Sequence, residues 1–286
     1  MGYALFVVGS CVLSLGYFHL YGRTAKYVVQ DFYANFGAEL ISIAITVLIV
    51  DSLAKRREER ELRAQLIQDM EGQSNQFSLR ALAMLRAKGW LSSKLVSTLE
   101  LSRSNLSGAD LSNLEMKGKY LAGIILRGAN LEKTDFRDCV LSEADLRDTN
   151  LKYAHLSGAN LSLSRLDNSA VESVQLHHSD LRKSTCIKTS LKNTNISYSD
   201  LSEANLSHSH FYKCDMSNSV LRSANLKNAI LSETNLSASK LNNASLEGAD
   251  LSTANLQDAM FPFARYDEKT RWPREFNVSE SGAIRA

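Results

Sequence analysis

From Leu101 to Phe261 a large apolar residue returns at every fifth position without a single insertion. There are 33 such positions; Leu fills 25, and the rest are Met116, Phe136, Val171, Cys186, Ile196, Phe211, Met216 and Phe261. Two residues ahead of each runs a second register of small side chains, among them Ala109, Ala129, Thr134, Cys139, Ala144 and Thr149. An α-helix cannot use this spacing, because five residues turn it by roughly 500° and leave successive leucines about 140° apart. A straight strand fails as well, since its side chains alternate faces and an odd spacing sends every second Leu to the wrong side. The rhythm predicts a short extended segment that turns a corner every five residues, with both registers inward and the other three positions outward. Repeated, this winds a solenoid filled by stacked leucines and stacked small residues.

Segments such as ANLEK (129–133), ADLRD (144–148), ANLSL (159–163), ADLST (249–253) and ANLQD (254–258) are copies of an A(D/N)LXX unit. In them the chain resembles the pentapeptide-repeat proteins over roughly 160 residues. The resemblance implies a mainly β fold, a right-handed quadrilateral β-helix with four repeats per coil. That gives about eight coils, and at a strand spacing of about 4.8 Å a rod of about 40 Å. Leu114, Lys119, Ile124 and Val174 depart from the small-residue register, three of them early, so an irregular first coil is expected. Lys119 cannot be buried unpaired; it is expected to reach outward or to abut a helix at 77–91.

Ahead of the repeats, residues 3–21 carry no charge and residues 32–50 are interrupted only by Glu39. Each is long enough to cross a hydrocarbon core. Lys55, Arg56, Arg57, Arg60 and Arg63 follow the second run, against Arg23 and Lys26 between the two, which places both ends of a two-helix transmembrane hairpin in the cytoplasm. The first ten residues lack the Lys or Arg of a signal peptide. Residues 51–70 are strong helix formers with a Glu59/Arg63 pair and apolar Leu53, Leu62, Leu66 and Met70, and continue the second helix as a stalk. EGQSN (71–75) interrupts it. A further helix at 77–91, with Leu79, Leu82, Leu85 and Phe77 on one face, ends at Gly89 and is expected to cover the first coil. The tail, with Phe263, Tyr266, Trp272 and Pro273, is expected to fold over the last coil from Phe261. The expected organisation is thus a membrane hairpin (1–52), a cytoplasmic helical stalk and cap (53–98), the β-helix (99–261), and a closing cap and tail (262–286). The segments ELISIAITVLIVDSLAKRREERE, LRAKGWL and ARYDEKTRWPREF look like those of membrane-anchored bacterial pentapeptide-repeat proteins, cyanobacterial ones among them, a likeness that brings no activity with it.

Cys11, Cys139, Cys186 and Cys214 stand at wide, unrelated intervals unlike metal-ligand spacing, which argues for structural thiols in a reducing compartment. His155, His177 and His178 are expected on one side of the rod and His208 and His210 about a corner, none as a ligand set. Asp110, Asn130, Asn160, Asn205 and Asn255 recur too regularly to be acid/base groups and are read as turn-bonding residues. No P-loop, GxGxxG, GxSxG or HExxH motif occurs. No enzyme, catalytic site, cofactor or metal is expected.

Glu100 to Phe261 holds 19 acidic and 17 basic side chains, near neutrality. The resemblance offers gyrase-interacting DNA mimics as an alternative function, but mimicry needs an acidic rod, and here Arg127, Arg147, Lys183, Lys188 and Lys192 point outward. A channel or transport accessory formed by the membrane helices, hinted at by Glu39 and by small residues such as Ala38 and Ser42, is a further alternative. The preferred expectation is a non-catalytic module tethered to a bacterial inner or thylakoid membrane. Its partners are the lipid bilayer and a protein, with self-association possible and no nucleic acid or small-molecule substrate.

Overall fold

The computed structural model describes residues 26–72 and 74–286. The expected first membrane helix at 3–21, with Cys11, lies outside the described residues. The chain divides into two units, Met1–Gln65 and Leu66–Ala286.

Helix α1 (Lys26–Glu71) joins the second apolar run and the basic stretch into one uninterrupted helix, as the helix-forming composition of 51–70 requires. Among the described residues, its segment Asn35–Glu71 is the one helix long and apolar enough to cross a membrane. Within the apolar part Gly37 and Ala44 are buried, one heptad apart on one face. Leu53 is 58% exposed. The expected Glu59/Arg63 pair gives way to Arg57–Glu61 at 2.8 Å. Both of its side chains are largely exposed, and on such a surface exchanging one partner for another costs little.

In the second unit α2 (Asn75–Ala87) closes on Gly89, whose φ of +65° suits glycine. Gly89 N–H donates to Arg86 O at 3.0 Å and Trp90 N–H to Leu85 O at 2.9 Å, the paired bonds of a Schellman motif. The buried stripe is Ser78, Ala81, Leu82 and Leu85. Phe77 falls one residue, about 100°, off that stripe and is 54% exposed, against the sequence expectation. Helix α3 (Ser93–Thr98), which the repeat-free sequence did not announce, is capped by Ser92 Oγ accepting from Leu95 N–H at 3.3 Å.

Beyond α3 the chain makes a solenoid. Parallel bridges link each residue to the one 20 positions on, as in Asn105 to Ile125, Asp110 to Asn130 and Tyr120 to Val140. One coil therefore takes four five-residue units. All 33 residues of the fifth-position register are buried, none more than 8% exposed. At most corners the backbone closes a turn, such as Ala109 N–H to Leu106 O at 3.0 Å, and the third residue takes positive φ, as a type II turn requires. On one side four successive coils broaden into true strands, β1 (Ala170–Glu172), β2 (Ser190–Lys192), β3 (His210–Tyr212) and β4 (Ile230–Ser232), paired in parallel with the same 20-residue register.

The first coil is regular, contrary to expectation: the turn-and-bridge pattern begins at Ser102 and does not falter. Side chains, not backbone, absorb the departures. Ile124 and Val174 are fully buried, Leu114 is half-buried, and Lys119 leaves the core. Its destination is α3 rather than α2: Nζ donates to Val96 O and Ser97 O at 3.0 Å and to Leu99 O at 2.5 Å. Those carbonyls lie at the C-terminal end of a short helix, where a cation is favoured; of the three, Val96 O also accepts the Leu99 N–H at 3.2 Å.

A solenoid's first coil exposes an unpaired edge. Here Ser104 Oγ donates to Glu71 O at 3.2 Å, Glu100 N–H to Glu71 Oε1 at 2.8 Å, and Arg86 to Ser112 O at 3.0 Å and to the Asp110 carboxylate. Leu66, Met70, Leu82, Leu85, Leu95 and Val96 are buried beside it. At the other end Phe261 meets Trp272 and Phe276 edge-on, each at 5.4 Å between ring centroids, while Trp272 and Phe276 stack at 5.0 Å. Strand β5 (Arg265–Tyr266) pairs in parallel with β6 (Ile284–Arg285). Phe263 does not join this cluster; it is a corner residue, 63% exposed.

Candidate interaction surface

Function on this scaffold belongs to the outward positions, whose side chains follow from the corner geometry. Asn or Asp just before each inward Leu folds back over the turn: Asn130 Oδ1 accepts from Glu132 N–H at 3.3 Å and Asp180 Oδ1 from Arg182 N–H at 3.0 Å. Along the rod the same side chains bond coil to coil, Asn150 Nδ2 to Asn130 Oδ1 and Asn130 Nδ2 to Asp110 Oδ1, both at 3.1 Å. These groups serve the backbone and each other and offer no acid/base pair.

Charge is likewise compensated in place. Asp135, Asp145 and Asp180 each hold the arginine two residues on, with Nη2–Oδ2 distances of 2.6, 2.5 and 2.6 Å. The hydrogen bonds from Arg137, Arg147 and Arg182 keep these carboxyls below the ordinary aspartate value, against a smaller opposing effect of burial. Between coils Glu172 lies 3.2 Å from Lys152 and 3.7 Å from Lys192, and Lys183 pairs with Glu203 at 3.6 Å. Such half-exposed pairs are worth little singly, but together they leave no single-signed field along the rod.

The histidines do not assemble a site. His177 and His178 touch edge-on at 5.7 Å, Ser157 Oγ is 3.2 Å from His177 Nδ1, and His178 stacks on Tyr198 at 5.1 Å. His155 stands in a different ladder, bridged to Asp135 and Gln175. Among the described residues no three His, Cys, Asp or Glu side chains are grouped to hold a metal. Cys139, Cys186 and Cys214 are buried free thiols, and burial pushes them up to about 11, 12 and 11 respectively.

The four walls differ. One ladder runs Glu115, Asp135, His155, Gln175, Asn195, Asp215, Asn235, Asn255 and is polar throughout. The next runs Tyr120, Val140, Asn160, Asp180, Asp200, Val220, Lys240, Met260. Tyr120 is 61% and Met260 49% exposed, and the corners bordering this wall add Tyr198, Leu163 and Phe263, all more than half exposed. Beside Tyr120 a cleft of about 230 Å³ opens, lined by Ser97, Glu100, Glu115, Lys117 and Lys119. This concentration was invisible to five-residue arithmetic. It follows the 20-residue period of the coil.

A square solenoid with internally bonded polar walls, along which exposed aromatic and aliphatic side chains are set, defines a class of repeat protein. Overlapping segments between residues 104 and 262 match the family model for pentapeptide repeats, in eight copies, and the chain belongs to the pentapeptide-repeat family. Its solenoid is accordingly a right-handed quadrilateral β-helix, and the family is in general one of non-catalytic interaction modules. No protein of curated function matches the chain. Among solved structures it is similar to a pentapeptide repeat protein from Nostoc PCC 7120, 32% identical over 37% of this chain and 84% of that one, with a TM-score of 0.27. It is also similar to HetL, a pentapeptide repeat protein involved in heterocyst differentiation regulation from Nostoc sp. strain PCC 7120 (26% identity, 70% and 90% coverage, TM-score 0.26). A third is QnrB1, a plasmid-mediated fluoroquinolone resistance protein (17% identity, 60% and 89% coverage, TM-score 0.38).

Proposed function

We propose that this protein is a membrane-tethered scaffold whose β-helix, of about eight coils, binds a protein partner at the cytoplasmic face. The wall from Tyr120 to Met260 carries the reading, because exposed aromatic and Met side chains flanked by neutral polar walls have the composition of a protein-binding patch. Tethering is supported by the apolar half of α1 and the basic residues that follow it, read with the uncharged run at 3–21 as a two-helix hairpin. Imitation of DNA is not favoured, since in-place ion pairs remove the acidic field it needs.

Proximity labelling in the native cell tests it. A Tyr120→Ser/Tyr198→Ser/Met260→Ser triple variant is expected to lose the labelled partner, while a triple variant on the polar wall (Gln175→Ser/Asn195→Ser/Asn235→Ser) keeps it. Equal labelling by both removes the assigned wall. Labelling indistinguishable from an unrelated membrane bait removes the scaffold reading. Accessibility of residues after 52 to protease only from the cytoplasmic side tests the orientation.

A further inference from the structure

The first coil keeps an uncovered stretch of backbone edge beside Tyr120. Glu115 N–H, Glu115 O and Lys117 O have no hydrogen-bond partner among the described residues. One coil on, the equivalent groups are all bonded to an extended segment running in parallel. Asp135 N–H donates to Leu114 O at 2.9 Å, Asp135 O accepts from Met116 N–H at 2.8 Å, and Arg137 O accepts from Gly118 N–H at 2.8 Å. The cap bonds the first coil at Ser104, Asp110, Ser112 and Lys119, and leaves Glu115 and Lys117 exposed. At this place the cleft of about 230 Å³ opens, lined by Ser97 and Glu100 ahead of the coil and by Glu115, Lys117 and Tyr120 within it.

The charges lining the cleft are not equally engaged. Lys117 lies 3.6 Å from Asp138, and Lys119 directs its ammonium to three carbonyls. Neither Glu100 nor Glu115 has an ion-pair partner among the described residues. An open edge of this kind takes up a strand, its main-chain bonds giving affinity and the alternate side chains selectivity. We propose that the cleft binds a short extended segment of a partner protein, laid parallel to residues 114–118. A carbonyl of that segment accepts from Glu115 N–H, and its N–H groups donate to Glu115 O and Lys117 O. The parallel sense is the one in which every later coil covers its neighbour. A lysine or arginine of the segment lies against Glu100 and Glu115, the two carboxylates left without a cation. The site requires neither the membrane tether nor the wall beyond Tyr120.

The full chain, purified in mild detergent, is screened against a displayed library of random heptapeptides. Enriched sequences are expected to carry Lys or Arg, and a synthetic copy of the strongest to slow hydrogen exchange at the Glu115 amide at least tenfold. N-methylation of alternate peptide nitrogens is expected to cut affinity at least tenfold. So is Ser97→Trp, which fills the cleft from an exposed position on α3. Glu100→Gln/Glu115→Gln is expected to cut it at least fivefold. A Glu115 amide that already exchanges slowly in the free protein means the edge is covered, and overturns the proposal. The same follows if no sequence is enriched, if the enriched sequences are acidic, or if peptides bind the Ser97→Trp and parent proteins equally.

Discussion

The ammonium of Lys119 sits 2.5 Å from the carbonyl oxygen of Leu99 and closes the end of the short helix before the first coil. A charged side chain has thus replaced a small inward residue, and its three bonds hold α3 to the solenoid. Lys119→Ala restores the small register but removes the ammonium from three carbonyls, of which Val96 O alone keeps the Leu99 N–H. Bonds to a charged group contribute about 1.5–3 kcal/mol, so the full-length variant is expected to lose stability of that order. Hydrogen exchange locates the effect: amides at Val96 and Leu99 are expected to speed up, while Leu126 and Asn130 in the ladder stay protected.

Lys119 also marks where sequence reading stops. The five-residue rhythm carried the solenoid, its two inward registers and the outward Asn and Asp almost residue by residue, because burial in a repeat depends on local spacing alone. The cap did not follow that way. A six-residue helix, the exposure of Phe77 and the choice of α3 over α2 by Lys119 are settled by packing between segments that share no period. The distinct wall from Tyr120 to Met260 lay between these extremes, written in the sequence but with a period of one coil rather than one repeat.

Leu163 occupies a corner at φ +60° and is 51% exposed, so it bears left-handed strain with little burial in return. A β-carbon in that conformation costs about 1–2 kcal/mol, offset in part by the greater freedom of glycine in the unfolded chain. Leu163→Gly is expected to stabilise the protein by about 0.5–1 kcal/mol. Gly128→Ala, at φ +67° with no atom within 4 Å of the added methyl, is expected to destabilise by a similar amount. Denaturant midpoints of the two variants, moving in opposite directions, check the argument; parallel shifts would remove it.

Cys186 stands where the register usually has Leu, and Phe211 stands where it has Leu as well; both line an apolar void of only about 10 Å³. An undersized and an oversized residue thus line the same stretch of core. Cys186→Leu alone is expected to overpack and cost about 1–3 kcal/mol. Phe211→Leu alone leaves a cavity and also destabilises. Combined, the two are expected to cost clearly less than their sum, a coupling that a double-mutant cycle measures. Simple additivity would show that the two side chains do not share space.

The thiols of Cys139, Cys186 and Cys214, raised by burial to about 11, 12 and 11, are overwhelmingly protonated at neutral pH. The thiolate is the reactive form. A Cys11→Ser variant is therefore expected to leave all three unmodified by an aromatic disulfide reagent at about pH 8 while folded, and to titrate all three in denaturant. Fast reaction of any one in the native state would show that its coil opens.

Acid sensitivity follows from the Asp–Arg pairs. Hydrogen bonds from Arg137, Arg147 and Arg182 depress the folded-state values of Asp135, Asp145 and Asp180. The unfolded chain, with aspartates near the usual value of about 3.9, binds protons first as pH falls. The stabilisation is thus complete above that value and is lost as pH drops through the lower folded values. Unfolding midpoints are expected to be flat from about pH 7 to pH 5 with respect to these groups and to decline below about pH 4. The Arg137→Gln/Arg147→Gln/Arg182→Gln variant removes the cause of the depression. It is expected to be less stable than the parent at neutral pH and to decline less steeply in acid, so that the two curves converge; curves that stay parallel below pH 4 would mean the pairs do not govern the acid response.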